Sequence, residues 1–157
     1  MRILVISDSH KRSDIIEKIL YAQGEATHVF FLGDLASDIE DLTYIFPKKQ
    51  FHILSGNCDY FSTFPSSDMI TLLGKKIFFT HGHTLGVKSS TSHLLETAMA
   101  QNCQIALFGH THQPLTLYED GVYLVNPGSC GHPRGGSATY AVIDIEENGI
   151  MPIIVEV

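Results

Sequence analysis

No apolar stretch in this sequence approaches the roughly 20 residues a helix needs to cross a bilayer, and no block of like charges occurs in it. A membrane span and a broad electropositive surface for a nucleic-acid backbone are therefore not indicated, although a local site could still take a phosphate. The formal net charge is −7, from 10 Lys and Arg against 17 Asp and Glu. Cysteine is scarce and odd in number: Cys58, Cys103 and Cys130 cannot form a closed disulfide framework, which favours reduced thiols in the cytoplasm. No secretory leader is expected, because the apolar run at Ile3–Ile6 is interrupted at once by Asp8 and His10. Tandem repeats, low-complexity tracts and linkers are absent. What is there suits one globular domain over residues 1–157: hydrophobic residues make up 44% and charged residues 17%.

The first third of the chain alternates between two periodicities. Ile3-Leu4-Val5-Ile6 is a β-branched apolar run without internal alternation, as a strand buried on both faces requires. Ile15, Ile16, Ile19 and Leu20 then recur at helical spacing, with Ser13 as the expected N-cap and Gly24 as the stop. The cycle repeats with a strand at His28–Leu32, a helix carrying Ile39, Leu42, Ile45 and Phe46 and closed by Pro47, and a strand at Phe51–Leu54. This β-α-β-α-β order predicts parallel strands with right-handed crossovers. Beyond Asp59 the spacing predicts a hairpin of Asp68–Leu73 and Lys76–Thr80 around Gly74-Lys75, a helix over Thr91–Gln101 and a strand at Gln104–Phe108. The last third reads as β-hairpins, Leu115–Tyr118 with Val122–Val125 and Thr139–Ile145 with Ile150–Glu156. The expected class is α/β, with two mixed sheets packed face to face and helices outside.

Polar residues concentrate where the apolar strands end. Five predicted strands run into Asp8-Ser9-His10, Gly33-Asp34, Gly56-Asn57, His81-Gly82-His83 and Gly109-His110-Thr111-His112. In α/β sheets the carboxyl ends of the strands lie along one rim, so these loops can converge. Each fragment alone is ordinary; Asp34 by itself reads best as a turn or cap residue. Together, Asp, Asn and His without cysteine point away from structural zinc and iron–sulfur sites. They suit Mn²⁺, with Ni²⁺, Fe²⁺, Zn²⁺ or Mg²⁺ as alternatives. Seven candidate ligands exceed what one ion with an open position can use, and they divide well between two.

These segments, with Asn57-Cys58-Asp59, Asn126-Pro127-Gly128-Ser129 and Pro133-Arg134, resemble the calcineurin-like metallophosphoesterase superfamily. More narrowly they resemble its short microbial phosphodiesterase branch, to which the retromer-subunit homologues are related. The resemblance runs in order from residue 3 to about residue 140 and implies a four-layer α/β-β/α sandwich. It further implies that Asp8, His10 and His112 hold a first metal, that Asn57, His81 and His110 hold a second, and that Asp34 bridges them. Catalysis would then centre on Asp34, Asn57 and His81. Two divalent ions roughly 3.5–4 Å apart can share a water, lower its pKa and direct it in line at phosphorus.

Larger members carry histidine directly after the ligand asparagine, where it can protonate the leaving group; here that residue is Cys58, whose thiol is a poor match for the role. His83 and His132 are the candidates to replace it, while Asp59 reads as structural. Arg134 is the candidate contact for substrate phosphate, since its planar fork suits phosphate oxygens. The expected activity is hydrolysis of a small phosphodiester. The alternatives are a catalytically weak or inactive protein-interaction scaffold with the same fold, and a mononuclear metal hydrolase or metal-storage protein. A cysteine hydrolase is rejected, because neither Cys103 nor Cys130 has a recognisable His–Asp partner. Edge strands in the β-rich C-terminal region leave a homo-oligomer open.

Overall fold

The computed structural model describes residues 1–157. The first sheet is built on β1 (Arg2–Ile6), flanked by the parallel strand β2 (His28–Phe31), with β3 (Gln50–Ile53) parallel beyond it. Each step between these strands passes through helix: α1 (Ser13–Ala22), then α2 (Ser37–Glu40) and α3 (Leu42–Ile45). The second sheet begins with β4 (Ser67–Leu72) and β5 (Lys75–Thr80), and continues after α4 (Ser92–Ala100) with β6 (Ile105–Leu107), β7 (Pro114–Glu119) and β8 (Val122–Pro127). Finally β9 (Thr139–Glu146) and β10 (Gly149–Glu156) return to the first sheet, so the orders are β10-β9-β1-β2-β3 and β4-β5-β6-β8-β7. None of the helices is long and apolar enough to cross a membrane.

The unbroken apolar runs are explained by layers on both faces of each sheet. Along β1, Ile3 and Val5 point to the gap between the sheets with Phe30, Ile77, Phe79, Ile105 and Leu107. Their neighbours Leu4 and Ile6 point the other way, against Ile15, Ile16, Ile19 and Leu20 of α1. Ala106 and Phe108 likewise turn outward from β6 onto Leu94, Leu95 and Ala98 of α4. The result is helix, sheet, sheet, helix. Each fully buried Ile or Leu in these layers contributes about 1.5–3 kcal/mol of burial free energy.

Several local expectations shift. Ser13 is the first helical residue rather than the cap, and Arg12 before it makes no side-chain cap. The helix expected from Ile39 to Phe46 is two short pieces that meet at Asp41. The first hairpin turns on Leu73-Gly74 rather than Gly74-Lys75, because both central residues take left-handed φ, 48° and 73°, and Leu72 pairs with Lys75. A two-residue loop of that hand matches the strand twist. The last third is not a set of hairpins alone: β8 also pairs parallel with β6, and β9 leaves that sheet to lie antiparallel to β1.

A histidine pair links β2 and β3 away from the polar rim. His28 Nδ1 and His52 Nε2 are 3.0 Å apart, with rings stacked at 5.3 Å and 6°. One nitrogen must donate and the other accept, so the two rings cannot both be charged while that bond lasts. Burial lowers the pKa of both. The folded chain therefore resists a proton that the unfolded chain accepts near the ordinary histidine value of about 6.5. The pair's contribution to stability is complete above that pH and is lost as pH falls below it. Thermal melts at pH 7.5 and 5.5 should show a smaller acid-induced fall for His52→Gln than for wild type.

Candidate metal centre

The loops leaving β1, β2, β3, β5 and β6 meet where the two sheets' rims face each other. Main-chain bonds stitch them together: Asp8 N–H donates to Gly33 O at 3.1 Å and Gly109 N–H to His81 O at 3.1 Å. The loops after β1, β2 and β6 turn their polar residues inward within a few residues of the strand end. Asp8, His10, Asp34, His110 and His112 accordingly take left-handed φ between 45° and 66°, five of the ten non-glycine residues that do so. Such a conformation costs a non-glycine residue roughly 1–3 kcal/mol, so surrounding contacts must hold it.

Those contacts are specific. Asp59 accepts three main-chain N–H groups, from Gly56 at 2.7 Å, Ala36 at 2.8 Å and Asp34 at 3.0 Å, and so ties the loop after β2 to the loop after β3. Ser129 donates to Asp8 O at 2.7 Å and accepts from His132 N–H at 2.7 Å. Asn126, fully buried, donates to Gly109 O at 2.9 Å and Thr111 Oγ1 at 3.0 Å and accepts from Gly128 N–H. Two glycines are there for close approach. A Cβ on Gly56 would fall onto Asp34 Oδ1 and 2.9 Å from His81 Cε1; one on Gly109 would fall onto Ser7 Oγ and 2.8 Å from Asp8 Oδ2.

At the centre, acceptors face acceptors. His81 Nδ1 lies 2.7 Å from Leu32 O, and a carbonyl can only accept, so the proton is on Nδ1 and the Nε2 lone pair points inward. That lone pair is 3.2 Å from Asn57 Oδ1 and 3.4 Å from Asp34 Oδ1. His112 repeats the arrangement: Nδ1 donates to His132 O at 2.6 Å, leaving Nε2 3.3 Å from His10 Nε2 and 3.2 Å from Asp8 Oδ1. Buried Asp8 Oδ1 has no hydrogen-bond partner. A neutral His112 with its proton on Nδ1 has nothing to give it. Either a second proton on the ring or a cation is required, and the contact with Asp8 does raise the His112 pKa. Burial lowers His10 and drives His110 down to about 4, which keeps that ring neutral and able to ligate at neutral pH.

The ligating atoms fall into two groups, Asp8, His10, Asp34 and His112 on one side and Asp34, His81 and His110 on the other, each within 4.8 Å. Asp34 is common to both, and Asn57 reaches the second through His81. This oxygen and nitrogen donor set, with an orphaned buried carboxylate oxygen, fits divalent metal ions. All seven residues singled out in the sequence thus lie together.

The centre opens into a cavity of about 310 Å³ whose wall includes Cys58, Lys88, His132 and Arg134. Burial pushes the Cys58 thiol up to about 11, so it stays protonated. His132 is at the opening, its ring 5.7 Å from that of His10 and 5.8 Å from that of His112. His83 is set behind, 5.4 Å from the His81 ring, with a buried Nδ1 that has no partner. Lys88 was missed by sequence reasoning, and the serine at 129 was seen only as part of a turn. Lys88 stands at no strand end, which was the available signal, whereas Ser129 follows closely on β8 within the run Asn126–Ser129 that read as a turn.

Fold and site together define a metallophosphoesterase-type α/β protein. Residues 1–148 match the calcineurin-like phosphoesterase superfamily domain, and the chain belongs to that superfamily. It is 29% identical to a probable metallophosphoesterase, YsnB, of Bacillus subtilis, over 94% of this chain and 86% of the relative. Against the phosphodiesterase YfcE of Escherichia coli it is 27% identical, over 98% and 91%. A crystal structure of a predicted phosphoesterase from Streptococcus pneumoniae superimposes with a TM-score of 0.85 at 28% identity, covering 99% of this chain and 88% of that one. Vps29 of Entamoeba histolytica, solved with Zn²⁺, shares the fold at a TM-score of 0.77 and 19% identity, over 99% of both chains.

Because Gly109 has no room for a methyl group against Ser7 and Asp8, Gly109→Ala should lower the unfolding free energy by about 1–3 kcal/mol in urea melts. An unchanged midpoint would mean that the loop has slack the contacts do not show.

Proposed function

We propose that the chain is a dinuclear-metal phosphodiesterase, and the observation that carries this is the pair of ligand groups sharing Asp34. In this reading Asp8, His10 and His112 would hold one ion and Asn57, His81 and His110 the other, with Asp34 common to both. Two divalent ions bound there, Mn²⁺ first among the candidates, would supply an activated water for in-line attack on phosphorus and neutralise the charge that builds on its oxygens. The chain's own residues do the rest. Leu32 O and His132 O fix the His81 and His112 rings with their lone pairs inward. Cys58 N–H donates to Asp34 Oδ1 at 2.9 Å and leaves Oδ2 on the His10 side, 3.7 Å from its ring nitrogen, so the two oxygens serve different ligand groups. Arg134, on the cavity wall, offers a planar fork to the non-bridging phosphate oxygens. His132, on the same wall, is the side chain to hold a proton for the leaving oxygen, since the Cys58 thiol is a neutral bystander at physiological pH. Phosphodiester preference rests on the likeness to the microbial phosphodiesterases. A reducing cytoplasmic setting is consistent with three free thiols.

The inert thiol at 58 also favours one other reading, a scaffold that keeps the fold and has little turnover. A pull-down recovering a stoichiometric partner of a metal-loaded but inactive protein would establish it. The enzyme reading requires hydrolysis of bis-p-nitrophenyl phosphate with Mn²⁺, abolished by chelator and restored by metal. Asp34→Asn, which removes the shared charge, should weaken both metal affinity and turnover on the order of a hundredfold or more. Full metal occupancy without hydrolysis across several metals would refute it.

A further inference from the structure

A second cavity, of about 370 Å³, adjoins the first, and Lys88 and Arg134 belong to the walls of both. Neither cation has an ion-pair partner, as is true of every lysine in the chain; among the arginines, Arg2 and Arg12 are bound to Asp144 and Asp14. What sets them apart is position: in a chain of net charge −7, both line the seam between the cavity at the metal centre and the one beside it, where an anion can be received. Past the seam the lining changes character. Val87 and Phe108, both buried, make an apolar floor, and Pro114 and Leu115 on the edge strand β7 extend it. Thr91 Oγ and the Gln113 side-chain amide also line this space, and neither side chain makes a hydrogen bond within the protein.

We propose that this second cavity is the subsite for the esterified alcohol of the substrate, and that the alcohol is a nucleoside. The proposal deepens the phosphodiesterase reading and rests on it for where the phosphate sits. A phosphate between the metal ligands and the Lys88–Arg134 seam directs its substituent into the adjoining space. An apolar floor suits the face of a flat ring, and a free amide beside it suits that ring's hydrogen-bonding edge. A polyol would leave the floor without use. A lipid chain would bury the Gln113 amide and Thr91 hydroxyl unpaired, at a cost. The cavity volume lies within the range of small-ligand pockets, roughly 300–1,000 Å³.

Binding, rather than turnover, separates this claim from the one it rests on. Dissociation constants of the Mn²⁺-loaded protein for thymidine 5′-monophosphate and for methyl phosphate, measured by calorimetry, should differ about tenfold or more in favour of the nucleotide. Gln113→Ala and Leu115→Ser, both at exposed positions where folding is not at stake, should each move that ratio toward one. Equal affinities in the wild-type protein, or variants that weaken both ligands by the same factor, would overturn the proposal. A nucleotide preference in a protein that hydrolyses no diester would uphold the subsite while sinking the enzyme reading. Diester hydrolysis without the preference would do the reverse.

Discussion

The structure depends on a set of buried oxygens and ring nitrogens gathered around one gap, where only a second proton on His112 or a cation can satisfy Asp8 Oδ1. Leu32 O and His132 O each take the Nδ1 proton of a buried histidine and so commit its Nε2 to the interior. Asp8, Asp34 and Asn57 aim oxygens at the same space, and Asp8 Oδ1 is left without a donor. Left to itself, such a cluster is electrostatically costly in a buried setting. A divalent cation is the ordinary way to relieve it. The site is thereby an unsatisfied arrangement that binding completes, and metal should contribute to stability as well as to chemistry.

Holding this arrangement requires the rest of the fold. Loops that turn through left-handed residues, as those after β1, β2 and β6 do, are poor structures in isolation, and only the parallel strands beneath bring their ends to one rim. The layers on either side of each sheet supply the rigidity. Asp59, Asn126 and Ser129 then lock the loops to one another through main-chain bonds, so none of the three needs to touch a substrate to matter. The glycines at 56 and 109 serve the same end by letting backbone pass within contact distance of Asp34 and Asp8.

Much of this was legible in the amino-acid sequence for a physical reason. A strand buried on both faces must be apolar throughout, so a polar residue such as Asp8 or Asp34 marks where burial stops and the rim begins. All seven candidate ligands could be picked out in that way. What escaped was whatever depends on pairing across the fold. Lys88 lies beyond a short 3₁₀ turn at His83–Leu85, with no strand end to flag it. The parallel pairing of β6 with β8 and the return of β9 to β1 are choices between partners that local periodicity does not encode. Arg134 is seated on the cavity wall, but a lone arginine in a glycine-rich loop carries no signal of which wall it joins.

The central claim is that this cluster is shared between two cations, and anomalous diffraction at the manganese edge from crystals grown with Mn²⁺ tests it most directly. A two-ion centre requires two peaks roughly 3.5–4 Å apart with Asp34 between them. A single peak held by Asp8, His10 and His112 alone, or no peak at all at saturating metal, would contradict it.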